Sequence, residues 1–204
     1  MAVKSKRRVY RSEARAASVD EGRARMIEAG RKLLTGGKGV PAFSIDALAR
    51  EAGVTRATVY NQFETKQALL GAIFDAIAQE GGLFDLPQIF SESDPDKALR
   101  RAVAIFAKFW GTHAQVMPKF VAFGQLDEEA RAILSERAER RRKLLAAIVG
   151  QMKSVKSPAD LVDVLFALTS AEFYRLLAVH GRSARTIEEL IWQAVADAVE
   201  RFRT

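Results

Sequence analysis

The stretch from Ser44 to Lys66, SIDALAREAGVTRATVYNQFETK, constrains this chain more than any other part of it. Ile45, Leu48, Ala49 and Ala52 recur at i, i+3, i+4 and i+7, the spacing that puts apolar side chains on one face of a short helix. Ser44 stands where a side-chain oxygen would cap that helix, and Asp46 adds negative charge to its first turn. Gly53 is expected to end it, because glycine takes the left-handed backbone of a C-terminal cap without a Cβ penalty. Val54 then fills the turn and Thr55 caps a second helix, Arg56 to Gln62. On that helix Val59 and Phe63 fall at i and i+4 and turn inward. Arg56, Thr58, Tyr60, Asn61 and Gln62 are left outside. A third helix starts at Thr65 and carries Lys66 in its first turn.

Two capped short helices around a glycine turn, the second with an outward Arg, Tyr and Asn, suit double-stranded DNA. A helix fits the major groove, and Arg and Asn carry the donor and acceptor geometry of guanine and adenine edges. Arg56, Thr58 and Asn61 are the expected base readers. Ser44, Thr55, Tyr60 and Lys66 are the expected phosphate contacts, which set register without reading sequence. The bland alternative is a helical hairpin whose polar face is simply solvated.

The pattern resembles the DNA-binding domain of the TetR family of transcriptional repressors, over about Ala24 to Phe74. That family shows an Ala-Gly-Val-Ser/Thr turn followed by Gly-Thr-aliphatic-Tyr-x-x-Phe-x-x-Lys. Here it reads Ala52-Gly53-Val54-Thr55, then Ala57-Thr58-Val59-Tyr60, Phe63 and Lys66. The departures are Ala57 for the usual glycine and Gln62 for an aromatic or histidine. The resemblance implies a homodimeric, all-helical regulator with a C-terminal ligand-sensing domain.

Charge is distributed to match. Residues 1–66 hold 14 Lys/Arg against 7 Asp/Glu, and residues 67–204 hold 18 of each, so the whole net charge of +7 lies in the first third of the chain. Local attraction to a polyphosphate explains that asymmetry better than a general need for solubility. Within it, residues 1–19 crowd Lys4, Lys6, Arg7, Arg8, Arg11 and Arg15 into an arm with few large apolar groups. Such an arm either follows phosphates into the minor groove or is a solvated tail.

Other classes of function find little support. The chain has no cysteine, which removes disulfides and thiolate metal sites and suits a reducing cytoplasm. No apolar run approaches the ~18 residues of a membrane span, and the basic N-terminus lacks the apolar core of a secretory signal. His113 and His180 stand alone, each near a helix end; there is no metal pair, no phosphate-binding glycine loop and no catalytic triad. Neither cofactor nor metal is expected, and an all-helical enzyme is the reading these absences disfavour.

The fold class is therefore all-α, with about nine helices: a helix-turn-helix domain over 20–66, a connecting helix 4 over 66–79, and a regulatory and dimerisation domain over 80–204. Helix 1 runs from about Asp20 to Leu34, with Met26, Ile27, Gly30, Leu33 and Leu34 inward. Gly36, Gly37, Gly39 and Pro41 keep the following connection irregular, and Val40 and Phe43 plug the small core. Gly81-Gly82 opens a linker whose Leu83, Phe84, Leu86, Ile89 and Phe90 are expected to cover the core below. Leu99, Val103, Phe106 and Trp110 line helix 5. A short helix, Gln115 to Phe123, precedes a long one, Asp127 to Met152, whose centre, Glu136 to Lys143, reads as a solvated face. Ser157-Pro158 opens helix 8 with cap and first-turn chemistry, and its apolar pattern continues to Leu177. Helix 9 spans Thr186 to Phe202.

Two residue sets follow for the C-terminal domain. Phe106, Phe109, Trp110, His113, Phe120, Phe123, Phe166, Thr169 and Phe173 would line a site for a small hydrophobic effector; simple core packing is the alternative. Leu161, Leu165 and Leu168 of helix 8 with Leu190, Ile191, Ala194 and Ala198 of helix 9 would form a four-helix dimer interface, small alanines permitting close approach. The expected function is a homodimeric transcriptional regulator, a repressor released from a palindromic operator by a small apolar ligand. The alternative is a regulator or architectural DNA-binding protein without an effector.

Overall fold

The structure is a computed structural model that describes residues 19–34 and 43–203. The chain forms two compact units, Met1–Phe74 and Asp75–Thr204. Residues 1–18 of the arm expected over 1–19, and the connection carrying Gly36, Gly37, Gly39, Val40 and Pro41, lie outside the described residues; Val19 is the first residue of the first helix.

In the first unit, α1 covers residues 19–34 and buries Met26, Ala29, Gly30 and Leu34. α2 (Ile45–Ala52) buries Ile45, Leu48 and Ala49, and α3 (Arg56–Phe63) buries Val59 and Phe63. α4 (Lys66–Glu80) starts at a Thr65 cap, whose hydroxyl oxygen accepts from the Ala68 amide at 3.0 Å. Leu69, Leu70, Ile73 and Phe74 of α4 close the small core beside Phe43.

In the second unit the expected linker is a 3-10 helix, Leu83–Ser91. Its three-residue period selects which side chains it buries. Ile89 is fully buried and Leu86 and Leu83, one and two turns earlier, are partly buried. Phe84 and Phe90 share the next ridge and are 57% and 46% exposed, so they do not cover the core as expected.

α5 (Pro95–Thr112) has the expected Asp94 cap and first-turn proline. Its buried stripe runs Leu99, Ala102, Val103, Phe106 and Phe109; Trp110 is only partly buried. α6 (Met117–Leu126) and α7 (Glu128–Val149) follow, the latter capped by Asp127. The single helix expected from Pro158 to Leu177 is two, α8 (Pro158–Leu168) and α9 (Ala171–Ala178). The break has a local cause: the Ser170 hydroxyl oxygen accepts from the Phe173 amide at 3.1 Å, a side-chain cap that starts a new helix. Pro158 is in the first turn of α8 as expected. Ser157 adopts φ 46° and makes no side-chain cap bond.

α10 (Ala184–Phe202) begins at a Ser183 cap and packs on α5, α8 and α9. The core of this unit is Leu99, Val103, Phe106, Leu145, Ile148, Leu161, Leu165, Ile191 and Val195 with their neighbours. Among the described residues there is no β-strand, only one isolated bridge between Val155 and Arg203. No described helix is long and apolar enough to cross a membrane.

Candidate nucleic-acid interface

The turn between α2 and α3 is fixed by backbone chemistry. Gly53 sits at φ 67°, ψ 34°. Its amide donates to Arg50 O at 3.2 Å, and the Val54 amide donates to Ala49 O at 2.9 Å. These two bonds satisfy carbonyls that the end of α2 would otherwise leave open, and they need the left-handed residue. The Ser44 hydroxyl oxygen accepts from the Ala47 amide and the Thr55 hydroxyl oxygen from the Thr58 amide, each at 3.1 Å. Ser44 and Thr55 are therefore exposed caps that set where the helices begin.

With Val59 and Phe63 buried, α3 is rolled so that Arg56 and Asn61 are exposed and Thr58 and Tyr60 are half-exposed. Lys66, at the start of α4, is half-exposed. The seven residues expected to meet DNA thus share the α2–α3–α4 corner of one small unit.

Arg56 does not float free of this surface. Its Nη1 lies 3.3 Å from both carboxylate oxygens of Asp46. Its guanidinium carbon is 5.6 Å from the Tyr60 ring centroid. Hydrogen bonding to the Tyr60 side chain, and then the Asp46 charge, hold the guanidinium above its ordinary pKa. Both members of the ion pair are exposed, so the pair orients Arg56 more than it stabilises the fold.

One contributor escaped the sequence reading. Arg23 of α1 donates from Nη1 to Gln62 O at 3.3 Å, and its guanidinium carbon lies 4.3 Å from the Phe63 centroid. A cation at the last turn of α3 complements the negative end of that helix and fixes its tilt. No local pattern marks Arg23, because the contact joins positions 39 apart.

In the second unit the residues expected to bind an effector fall into groups. Trp110 Nε1 donates to Thr169 O at 2.9 Å, and the Thr169 hydroxyl donates to Leu165 O at 2.8 Å. The Phe109 ring lies 4.6 Å from that of Trp110 and 5.2 Å from that of His113. The Phe109 edge runs so close to Gly81 that a Cβ there would be 2.3 Å from Phe109 Cδ2. Phe106, Phe109, His113 and Thr169 are buried, while Trp110, Phe166 and Phe173 are partly buried. Phe120 and Phe123 are buried on α6, which packs on α7.

The centre of α7 is the expected solvated face only in part: Glu136, Glu139, Arg140 and Lys143 are exposed, whereas Arg137 and Arg141 are not. Arg137 and Arg141 continue, at helical spacing, the buried stripe of Ala130, Ile133, Leu145 and Ile148. Arg137 Nη2 reaches Asp75 Oδ1 at 2.6 Å. Arg141 donates from Nη1 to Phe166 O at 2.9 Å and to the Thr169 hydroxyl at 3.0 Å. Burial, and then the neighbouring Arg142 charge, push its pKa down to about 10. The stripe itself was the signal available in the sequence; two arginines on it read as solvent-facing because their heads are charged.

Of the residues expected at a dimer interface, Leu161, Leu165 and Ile191 are 0%, 0% and 2% exposed and belong to the core of their own chain. Leu168, Leu190, Ala194 and Ala198 remain partly exposed on α8 and α10.

The family model described as bacterial regulatory proteins of the tetR family matches residues 26–73. The HTH-type transcriptional regulator EthR of Mycolicibacterium smegmatis is 32% identical over 97 residues, 47% of this chain and 44% of that protein. The chain thus spans under half the length of the curated relative it matches. Crystal structures of low identity share the fold. NalD of Pseudomonas aeruginosa, the secondary repressor of the MexAB-OprM multidrug efflux pump, superposes at TM-score 0.70 with 18% identity, over 89% of this chain and 97% of that one. A TetR transcription regulator from Haloarcula marismortui superposes at 0.66 with 15% identity, over 91% and 100%.

Proposed function

The chain belongs to the tetR family of bacterial regulatory proteins through its N-terminal domain, and we propose that it is a homodimeric, DNA-binding transcriptional regulator. A repressor released from a palindromic operator by a small molecule is the form proposed. One observation carries the reading: α3 buries Val59 and Phe63 and turns Arg56, Tyr60 and Asn61 outward beside the caps of α2 and α3. Each dimer would present two such faces to half-sites about one DNA turn apart, ~34 Å.

Arg56, Thr58 and Asn61 would read base edges, and Ser44, Thr55, Tyr60 and Lys66 would hold phosphates. The partly exposed Leu168, Leu190, Ala194 and Ala198 would contribute to the dimer interface. Effector binding would favour a form in which the two reading heads no longer match the operator, by no more than its differential affinity for the two forms.

The test begins with selection of bound sequences from a random DNA pool by the full chain. A palindromic consensus is expected, and light scattering should give the mass of a dimer. Recovery of no consensus, or a monomer at micromolar concentration, would remove the proposal. Roles within the site separate by substitution. Arg56→Ala should weaken the selected operator about tenfold or more and relax one base position in each half-site, with little effect on random DNA. Lys66→Ala should weaken both DNAs alike and flatten the salt dependence. Equal losses on operator and random DNA for Arg56→Ala would show that Arg56 is not a reader.

A further inference from the structure

Half-buried arginines of the second unit come with acids, with one exception. Arg100 pairs with Glu189 at 2.8 Å, Arg137 with Asp75 at 2.6 Å and Arg203 with Asp96 at 2.5 Å. Arg142 is paired with Asp163. Arg141, set more deeply than its neighbour, has no acidic side chain within ion-pair reach among the described residues; the charge that acts on it is the like charge of Arg142. A guanidinium partly withdrawn from water without a counter-charge is unfavourable, so an unmatched one calls for an explanation.

Helix capping supplies part of one. Phe166 O lies in the last turn of α8 and Thr169 is its C-cap, so Nη1 sits at the negative end of that helix. That accounts for Nη1 alone. Nε and Nη2 make no hydrogen bond among the described residues, and neither is sealed from solvent. These two groups form one edge of the guanidinium, with parallel N–H bonds that match the two oxygens of a carboxylate. The surroundings are aromatic: the guanidinium carbon is 3.9 Å from the Phe166 centroid and 6.0 Å from that of Phe106. The Phe166 ring also carries Arg142, at 4.4 Å, whose charge is matched by Asp163.

We propose that Arg141 anchors an organic acid, a carboxylate on an apolar body, in a site formed by α5, α7 and the break between α8 and α9. This rests on the reading of the second unit as ligand-sensing, and it replaces a purely apolar effector by an anionic one. The carboxylate takes the Nε–Nη2 edge while Nη1 keeps its bonds to Phe166 O and Thr169. The apolar body lies beside the partly buried Phe166 ring.

Matched pairs of probes test this on the full chain: decanoate against decanol, and phenylbutyrate against phenylbutanol, by calorimetry and thermal shift. At least one acid should bind and raise the melting midpoint, about tenfold or more tighter than its alcohol, as expected for a charge-assisted pair. Arg141→Gln keeps a side-chain donor for the cap and loses the charge; it should erase the preference for the acid. Arg141→Lys should keep part of it, and decides the matter if the glutamine variant does not fold. A merely structural role would lower stability in both variants without touching the acid-to-alcohol ratio. Equal binding of acid and alcohol to the unaltered protein would overturn the anion site and leave a ligand-sensing unit standing. So would full acid preference in a folded Arg141→Gln. No binding by either acid also overturns it, while operator selection reports separately on the regulatory reading.

Discussion

Replacing Phe63 with alanine should cost the N-terminal unit about 3–5 kcal/mol, the range for deleting a buried phenylalanine ring, and should abolish operator binding at temperatures where the parent chain binds. Phe63 is 3% exposed and ends α3, so its ring holds the outward face of that helix in register. The ring is also the platform for the Arg23 guanidinium, 4.3 Å from its centroid, and the same substitution removes that contact. Small domains have total stabilities of only about 5–15 kcal/mol, so a loss of this size populates the unfolded form. The measurement is a thermal melt paired with an operator titration. Phe63→Leu, which fills most of the volume, should recover much of both. Full operator affinity in the alanine variant would show that α3 is held by something other than its own core.

Phe109→Ala should have an effect of similar size on the second unit, about 3–5 kcal/mol, seen as a fall in melting midpoint on the order of 10 °C. The ring is fully buried between Gly81, Trp110 and His113. Its neighbours have little freedom to collapse into the space, because Trp110 is tied by Nε1 to Thr169 O at 2.9 Å. The same contact can be probed from the other side. Gly81→Ala places a Cβ 2.3 Å from Phe109 Cδ2, so the ring must shift, and a loss of about 1–3 kcal/mol is expected for overpacking. An unchanged midpoint in both variants would mean that this packing does not limit stability.

How much of this was legible in advance differs between the two units for a physical reason. The helix-turn-helix corner is built from interactions that close within five positions: Ser44 with Ala47, Thr55 with Thr58, Ala49 with Val54 across Gly53. Such bonds are written in the order of the residues, so the helices, the turn and the outward face of α3 follow from the string of letters. The break after α8 belongs to the same class. Ser170 is a capping residue in plain view, and a continuous apolar pattern masked it.

Other features depend on what packs against what. Whether Leu161 and Ile191 face a partner or their own core was open in the sequence, since a buried stripe looks the same in both cases; here they face their own core. Arg23 reaches Gln62 across 39 positions, Trp110 reaches Thr169 across 59, and Arg141 reaches Phe166 across 25. Order along the chain by itself determined the α2–turn–α3 corner, because capping and helical periodicity act between near neighbours. Only the tertiary structure decided that Arg141 lies inside against Phe166 and Thr169, because the burial of a long charged side chain is set by the distant helices that close over its stem.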